Sequence, residues 1–121
     1  MKKIIVNFKM NGTVEQTKSY LINLLAKADQ ENTEITLCLP YTSLSLGRGL
    51  LGGSKINLGA QNLADEESGS YTGEISGEML AGAGVTHVIV GHSERRAKFK
   101  ENSRIINKKI KIAFNINSIH Y

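Results

Sequence analysis

With 121 residues, 40% of them hydrophobic and 21% charged, the chain suits one domain with a modest core and is not a disordered segment; a chain of this size buries roughly 65% of its unfolded surface. The opening apolar run, Ile4-Ile5-Val6, is interrupted by Asn7 and Lys9 and is too short for a signal-peptide core or a membrane span, so a cytoplasmic protein without a membrane partner is expected. The lone cysteine, Cys38, excludes an internal disulfide, and the net charge of +4 is concentrated in residues 95–111, where eight Lys/Arg face one acid, Glu101, in what reads as one helix-like segment.

The stretch from Lys3 to Lys9 is short, β-branched and apolar, and predicts a buried strand. Alternation places Ile5, Asn7 and Lys9 on one face and Ile4, Val6 and Phe8 on the other. Asn11-Gly12 predicts a turn, and Thr13 with Gln16 has capping-box spacing ahead of Leu21, Leu24, Leu25 and Ala28 at i, i+3, i+4, i+7. An amphipathic helix over about residues 14–30 follows. Glu34 to Leu39 predicts a second strand, closed by Pro40. A second helix is expected from near Ser43, although Gly47 and Gly49 inside it each cost about 1 kcal/mol relative to Ala.

Ile56 to Gln61 predicts a third strand, and residues 62–73 a long surface loop of the kind that tends to be functional. Ser76 can cap a short helix running through Ala81 and ended by Gly82 and Gly84. His87 to Gly91 predicts a fourth strand. Asn102 to about Phe114, with Ile106, Ile110 and Ala113 on one face, predicts a fourth helix. Four strand-then-helix repeats in this order predict an α/β fold: one domain over residues 1–121, with a parallel sheet and right-handed crossovers placing the helices on one side.

In such an array, side chains at the C-terminal ends of strands converge on one rim. Asn7 and Lys9 lie there after the first strand, and His92, Ser93 and Glu94 after the fourth. A lysine, an amide and a histidine on one rim suit a small anionic substrate bearing a carbonyl: Lys9 supplies charge, Asn7 a hydrogen bond, and His92 polarisation or proton shuttling.

Four segments in this order carry a specific resemblance: Asn7-Phe8-Lys9-Met10-Asn11-Gly12, Gly59-Ala60-Gln61-Asn62, Tyr71-Thr72-Gly73-Glu74-Ile75-Ser76, and Gly91-His92-Ser93-Glu94-Arg95-Arg96. Together they resemble the N-terminal half of triosephosphate isomerase, over about residues 3–111. The resemblance implies half of a TIM (β/α)₈ barrel and, for the family, interconversion of dihydroxyacetone phosphate and D-glyceraldehyde 3-phosphate through an enediolate, in glycolysis and gluconeogenesis, with no metal or organic cofactor. It implies that Lys9 stabilises phosphate and developing charge, that Asn7 helps hold the substrate, and that Ser93 belongs to the catalytic stretch. It makes His92 the neutral electrophile at the carbonyl; this family is itself the standard worked case of a histidine kept neutral by a helix N-terminus. Glu94 matches an acid that pairs with the lysine and assists proton transfer. Thr72 matches a residue that projects toward the partner subunit's site in the family homodimer.

Two departures stand out. Phe8 replaces the family's usual tryptophan, and beyond about Lys111 the chain runs through Ile112 to Tyr121 without entering a second half. Because a complete barrel takes about 250 residues, the glutamate base, the lid and the glycine-rich phosphate loops are expected to be absent. Little or no isomerase activity of the chain alone, an open barrel interior, unpaired outer strand edges and a frameshift or premature stop are the corresponding expectations.

Other features have simpler readings. His87 and His120 read as structural or solvated, Cys38 as a small core or helix-facing residue, and Asp65, Glu66 and Glu67 as a solvated face rather than metal ligands. Gly47, Gly49 and Gly52 fall on GxGxxG spacing but lie inside or after a helix, so no dinucleotide site is expected. A self-associating, non-catalytic half-barrel is the alternative function. The basic stretch suggests a nucleic-acid module less well, because Phe99 is its only aromatic residue and no binding motif accompanies it, so no nucleic-acid partner is expected.

Overall fold

A computed structural model describes residues 1–27 and 32–116. Four parallel strands, β1 (Lys2–Asn7), β2 (Thr33–Leu39), β3 (Ile56–Ala60) and β4 (His87–Val88), pair in sequence order into a curled half-barrel. The connecting helices are α1 (Val14–Lys27), α2 (Leu44–Leu51) preceded by a 3₁₀ turn at Tyr41–Ser43, α3 (Gly77–Gly82), α4 (Ser93–Lys98) and α5 (Ser103–Phe114). Ala28 and the remainder of the first predicted helix, like His120 and the end of the tail, lie outside the described residues.

Register determines which side chains meet the helices. With Val6 opposite Leu37 and Leu37 opposite Leu58, the residues Val6, Leu37, Leu39, Leu58, Ala60 and Val88 face one way and join a single core. Leu21 of α1, Leu44 and Leu51 of α2, Leu80 of α3 and Ala113 of α5 complete it. Burying a leucine side chain stabilises by roughly 1.5–3 kcal/mol, so this layer carries most of the fold's apolar stabilisation.

Local chemistry starts the helices as expected. Thr13 and Gln16 form the capping box reciprocally: the Thr13 N–H donates to Gln16 Oε1 at 3.0 Å and the Gln16 N–H to Thr13 Oγ1 at 3.2 Å. Ser76 Oγ accepts from the Met79 N–H and Asn102 Oδ1 from the Ile105 N–H. Gly47 has a packing reason: a Cβ there would lie 2.7 Å from Leu58 Cδ1 and 2.8 Å from Leu39 Cδ1, so only glycine lets α2 lie this close to the sheet.

Several boundaries differ from expectation. β1 stops at Asn7 instead of running to Lys9, because Lys9 adopts φ +55°. β4 ends at Val88 instead of Gly91: β3 offers its last residue, Ala60, as partner, and Gly91 turns with φ +70° under Ile106. The basic segment is two helices rather than one, broken where Lys100 takes φ +55°. Cys38 is buried at 1% exposure but faces away from the helices, packed against Thr36 and Gly59. Asp65 and Glu66 are not merely solvated. Lys108 of α5 donates to Glu66 at 2.9 Å and lies 3.9 Å from Asp65, tying the long loop to that helix. The Glu66 hydrogen bond holds the Lys108 pKa above its ordinary value. Among the described residues no helix is long and apolar enough to cross a membrane.

Candidate active site

The rim is built first from backbone. Asn7 ends β1, and its Oδ1 accepts the Lys9 N–H at 2.9 Å, closing a local turn. That turn puts Lys9 in the left-handed region, which costs a lysine roughly 1–2 kcal/mol. Neighbours hold it there. The Phe8 N–H donates to the Cys38 carbonyl at 3.1 Å, and Asn11 Nδ2 donates to the Phe8 carbonyl at 3.0 Å. Gln61, just past β3, donates from Nε2 to the carbonyls of both Lys9 and Cys38, each at 3.0 Å. Lys9 therefore reaches the rim through a turn rather than through strand alternation.

The other wall follows β4. His92 is the N-cap of α4, and its Nδ1 accepts the Glu94 N–H at 3.1 Å. A neutral ring that accepts at Nδ1 carries its proton on Nε2, so the tautomer follows from this bond. Glu94 joins the two walls: Lys9 Nζ donates to its Oε1 at 2.7 Å, and His92 Nδ1 lies 3.6 Å from its Oε2. The Lys9 hydrogen bond, reinforced by the charges of Lys9 and Lys98, holds the Glu94 carboxyl below the usual glutamate range. It is a carboxylate at neutral pH.

Asn7, Lys9, Gln61, His92 and Glu94 line one concavity of about 260 Å³. Its remaining wall includes Tyr41, Arg95 and Phe99, which the sequence reading had not assigned to a site. Burial first, with Glu74 second, pushes the Tyr41 phenol up to about 12, leaving a neutral hydroxyl. The Arg95 guanidinium sits 4.6 Å from the centre of the Phe99 ring and donates to Glu101. Glu101 also accepts from Lys109 at 2.7 Å, and Lys109 donates to Asn62 at 2.8 Å. Both ends of this pair are buried, at 7% and 4% exposure. Burial alone would raise the Glu101 pKa, but the Lys109 and Arg95 hydrogen bonds outweigh it and hold the carboxyl low. The one acid within the basic stretch was the available clue to this network.

The geometry thus brings together Asn7, Lys9, His92 and Glu94. Ser93 and Thr72 stand apart: both are exposed, Ser93 at the first turn of α4 and Thr72 in the long loop, and neither lines the concavity. Among the described residues there is no group of three His, Cys, Asp or Glu side chains placed to hold a metal ion.

The family model described as triosephosphate isomerase matches residues 2–120. The chain belongs to the triosephosphate isomerase family. The triosephosphate isomerase of Alkaliphilus metalliredigens is 47% identical over 115 residues, covering 93% of this chain and 46% of the relative. That of Clostridium tetani is 39% identical over 121 residues, covering 98% of this chain and 48% of its own. The crystal structure of triosephosphate isomerase from Bartonella henselae matches with a TM-score of 0.85 at 40% identity, over 94% of this chain and 47% of that one. The chain spans about half the length of the triosephosphate isomerases it matches.

Proposed function

We propose that this chain carries the binding and polarising part of a triosephosphate isomerase site, for interconverting dihydroxyacetone phosphate and D-glyceraldehyde 3-phosphate. The observation that carries this reading is that the Lys9 ammonium and the His92 imidazole both meet Glu94 at the edge of one concavity. A triose phosphate seated there presents its phosphate to Lys9 and its carbonyl to the Nε2–H of His92. A hydrogen bond aimed at developing negative charge stabilises an enediolate more than the ground-state carbonyl, which is how such a donor accelerates proton transfer. Asn7 Oδ1 is occupied by the Lys9 N–H, so its amide Nδ2 is the group left to hold substrate. Glu94 orients Lys9 and accepts its charge until substrate phosphate competes for it.

Among the described residues, Glu94 is the one carboxylate lining the concavity, and it is engaged by Lys9. A general base is worth about 10²–10⁴ in rate, and the resemblance places that base, the lid and the phosphate loops in the half of the relatives this chain does not span. By the same resemblance Thr72 and the loop around it serve a homodimer, Ser93 completes the catalytic stretch, and the role is glycolytic and cytoplasmic.

The test is a coupled isomerase assay on the purified chain, alone and mixed with a separately expressed C-terminal half of a relative. Alone it is expected to turn over at least about 10²-fold more slowly than the mixture, and His92→Ala is expected to abolish the gain. Full turnover by the chain alone, or a gain indifferent to His92→Ala, would overturn the proposal.

A further inference from the structure

Gln61 stands out among the polar groups around the concavity because both of its contacts are to backbone. Its Nε2 donates to the carbonyl of Lys9 and to that of Cys38, each at 3.0 Å, so the two hydrogens of one amide join the second residue beyond β1 to the penultimate residue of β2. The carbonyl it holds belongs to a non-glycine residue at φ +55°, a conformation that persists only where surrounding contacts over-determine it. From the other side, Asn7 holds the Lys9 N–H at 2.9 Å. The peptide groups on both sides of the Lys9 Cα are therefore tied by side-chain amides. With the backbone fixed, the Lys9 side chain leaves in one direction, and its Nζ lands 2.7 Å from Glu94.

We propose that Gln61 is a positioning residue: its amide locks the left-handed turn at Lys9 and so aims the Lys9 ammonium across the concavity at Glu94 and at a bound anion. The proposal rests on the reading of Lys9 as a phosphate-holding group only for its ligand consequence; the aiming itself is a property of the free chain. Gln61 touches neither the ammonium nor the carboxylate in these contacts, so its effect passes through the backbone of Lys9. An ammonium released from this direction samples many rotamers, and binding an anion then requires ordering it again.

Gln61→Met keeps the length and approximate volume of the side chain and removes both donors. Glu94 reports on aiming without any ligand, because the Lys9 hydrogen bond is the leading cause of its lowered pKa, ahead of the charges of Lys9 and Lys98. Side-chain carboxyl NMR of the 121-residue chain is expected to show the Glu94 midpoint moving up in Gln61→Met, in the direction that Lys9→Met moves it further. Gln61→Asn, with its donors kept but one methylene short, is expected to fall between Gln61→Met and the native chain. It decides the matter if Gln61→Met loses its circular-dichroism signal. In the ligand arm, dihydroxyacetone phosphate followed by NMR is expected to bind about tenfold more weakly to Gln61→Met. A folded variant whose Glu94 midpoint stays at the native value overturns the role of Gln61. Binding that Lys9→Met leaves unchanged overturns the phosphate reading of Lys9 instead, and does so without touching the Glu94 result.

Discussion

The two faces of the same four strands are built on opposite rules. The face under the helices takes Leu37, Leu39, Leu58, Ala60 and Val88, none more than 5% exposed. The concave face takes Ile5, Asn7, Glu34, Thr36, Cys38, Asn57, Gly59 and His87, and its contacts are largely polar. Asn57 Nδ2 donates to Glu34 Oε1 at 3.1 Å and to Thr36 Oγ1 at 3.3 Å, and His87 Nε2 lies 3.9 Å from the same Glu34 oxygen. One face stabilises the fold by excluding water, and the other holds a rim on which the concavity sits. The difference shows why mutations on a single strand should separate into stability effects and site effects by parity alone.

The largest expected effect lies where the helix layer admits charge. Glu101→Leu leaves Lys109 buried without its carboxylate and releases Arg95, and removing one partner of a buried pair costs about 3–5 kcal/mol, read by urea unfolding. The pH dependence follows from the same network. Because the folded Glu101 pKa lies below the unfolded value of about 4.3, its contribution is fully present above that value. It is lost as pH falls through the lower folded pKa. Unfolding curves taken from neutral into acid should therefore steepen in their pH dependence in the native chain and flatten in Glu101→Leu. Next in size, Leu39→Ala removes a fully buried side chain beneath α2 and should cost about 2–5 kcal/mol. A loss below about 1 kcal/mol by the same unfolding measurement would mean that the helix face is not the principal core.

Much of this arrangement was legible before any coordinates, for reasons that differ by element. Alternation separates Ile5 and Asn7 from Ile4 and Val6 on β1, and the caps at Thr13 and Ser76 mark helix starts because each side chain makes a local bond. What escaped depended on partners far along the chain. The left-handed turn at Lys9 is held in part by Gln61, 52 positions away, and nothing in the spacing of β1 announces it. The concave orientation of Cys38 was likewise hidden, since a small apolar residue between two leucines fits either face. Lys109 is one of eight cations in the basic stretch, yet it is buried because Glu101 and Asn62 accept its hydrogen bonds. Lys9 and His92 were legible as a pair only through the ordered motifs around them, because no local rule brings the ends of β1 and β4 to one carboxylate.

The smallest expected effect gives the sharpest contrast. Ile5 precedes Val6 on β1, but its side chain points to the concave face and is 66% exposed. Ile5→Thr keeps the β-branch that suits a strand and replaces the ethyl arm with a hydroxyl that water can reach. With little apolar area removed from water in the native state, the change should alter unfolding free energy by less than about 0.5 kcal/mol. Measured under the same conditions, Leu39→Ala and Ile5→Thr should differ severalfold, although both remove aliphatic groups from adjacent strands. A cost above about 1.5 kcal/mol for Ile5→Thr would mean that Ile5 is covered in solution, since that is the size expected when a buried isoleucine loses its packing. In that case dependence of the unfolding midpoint on protein concentration would identify the cover as a second copy of the chain.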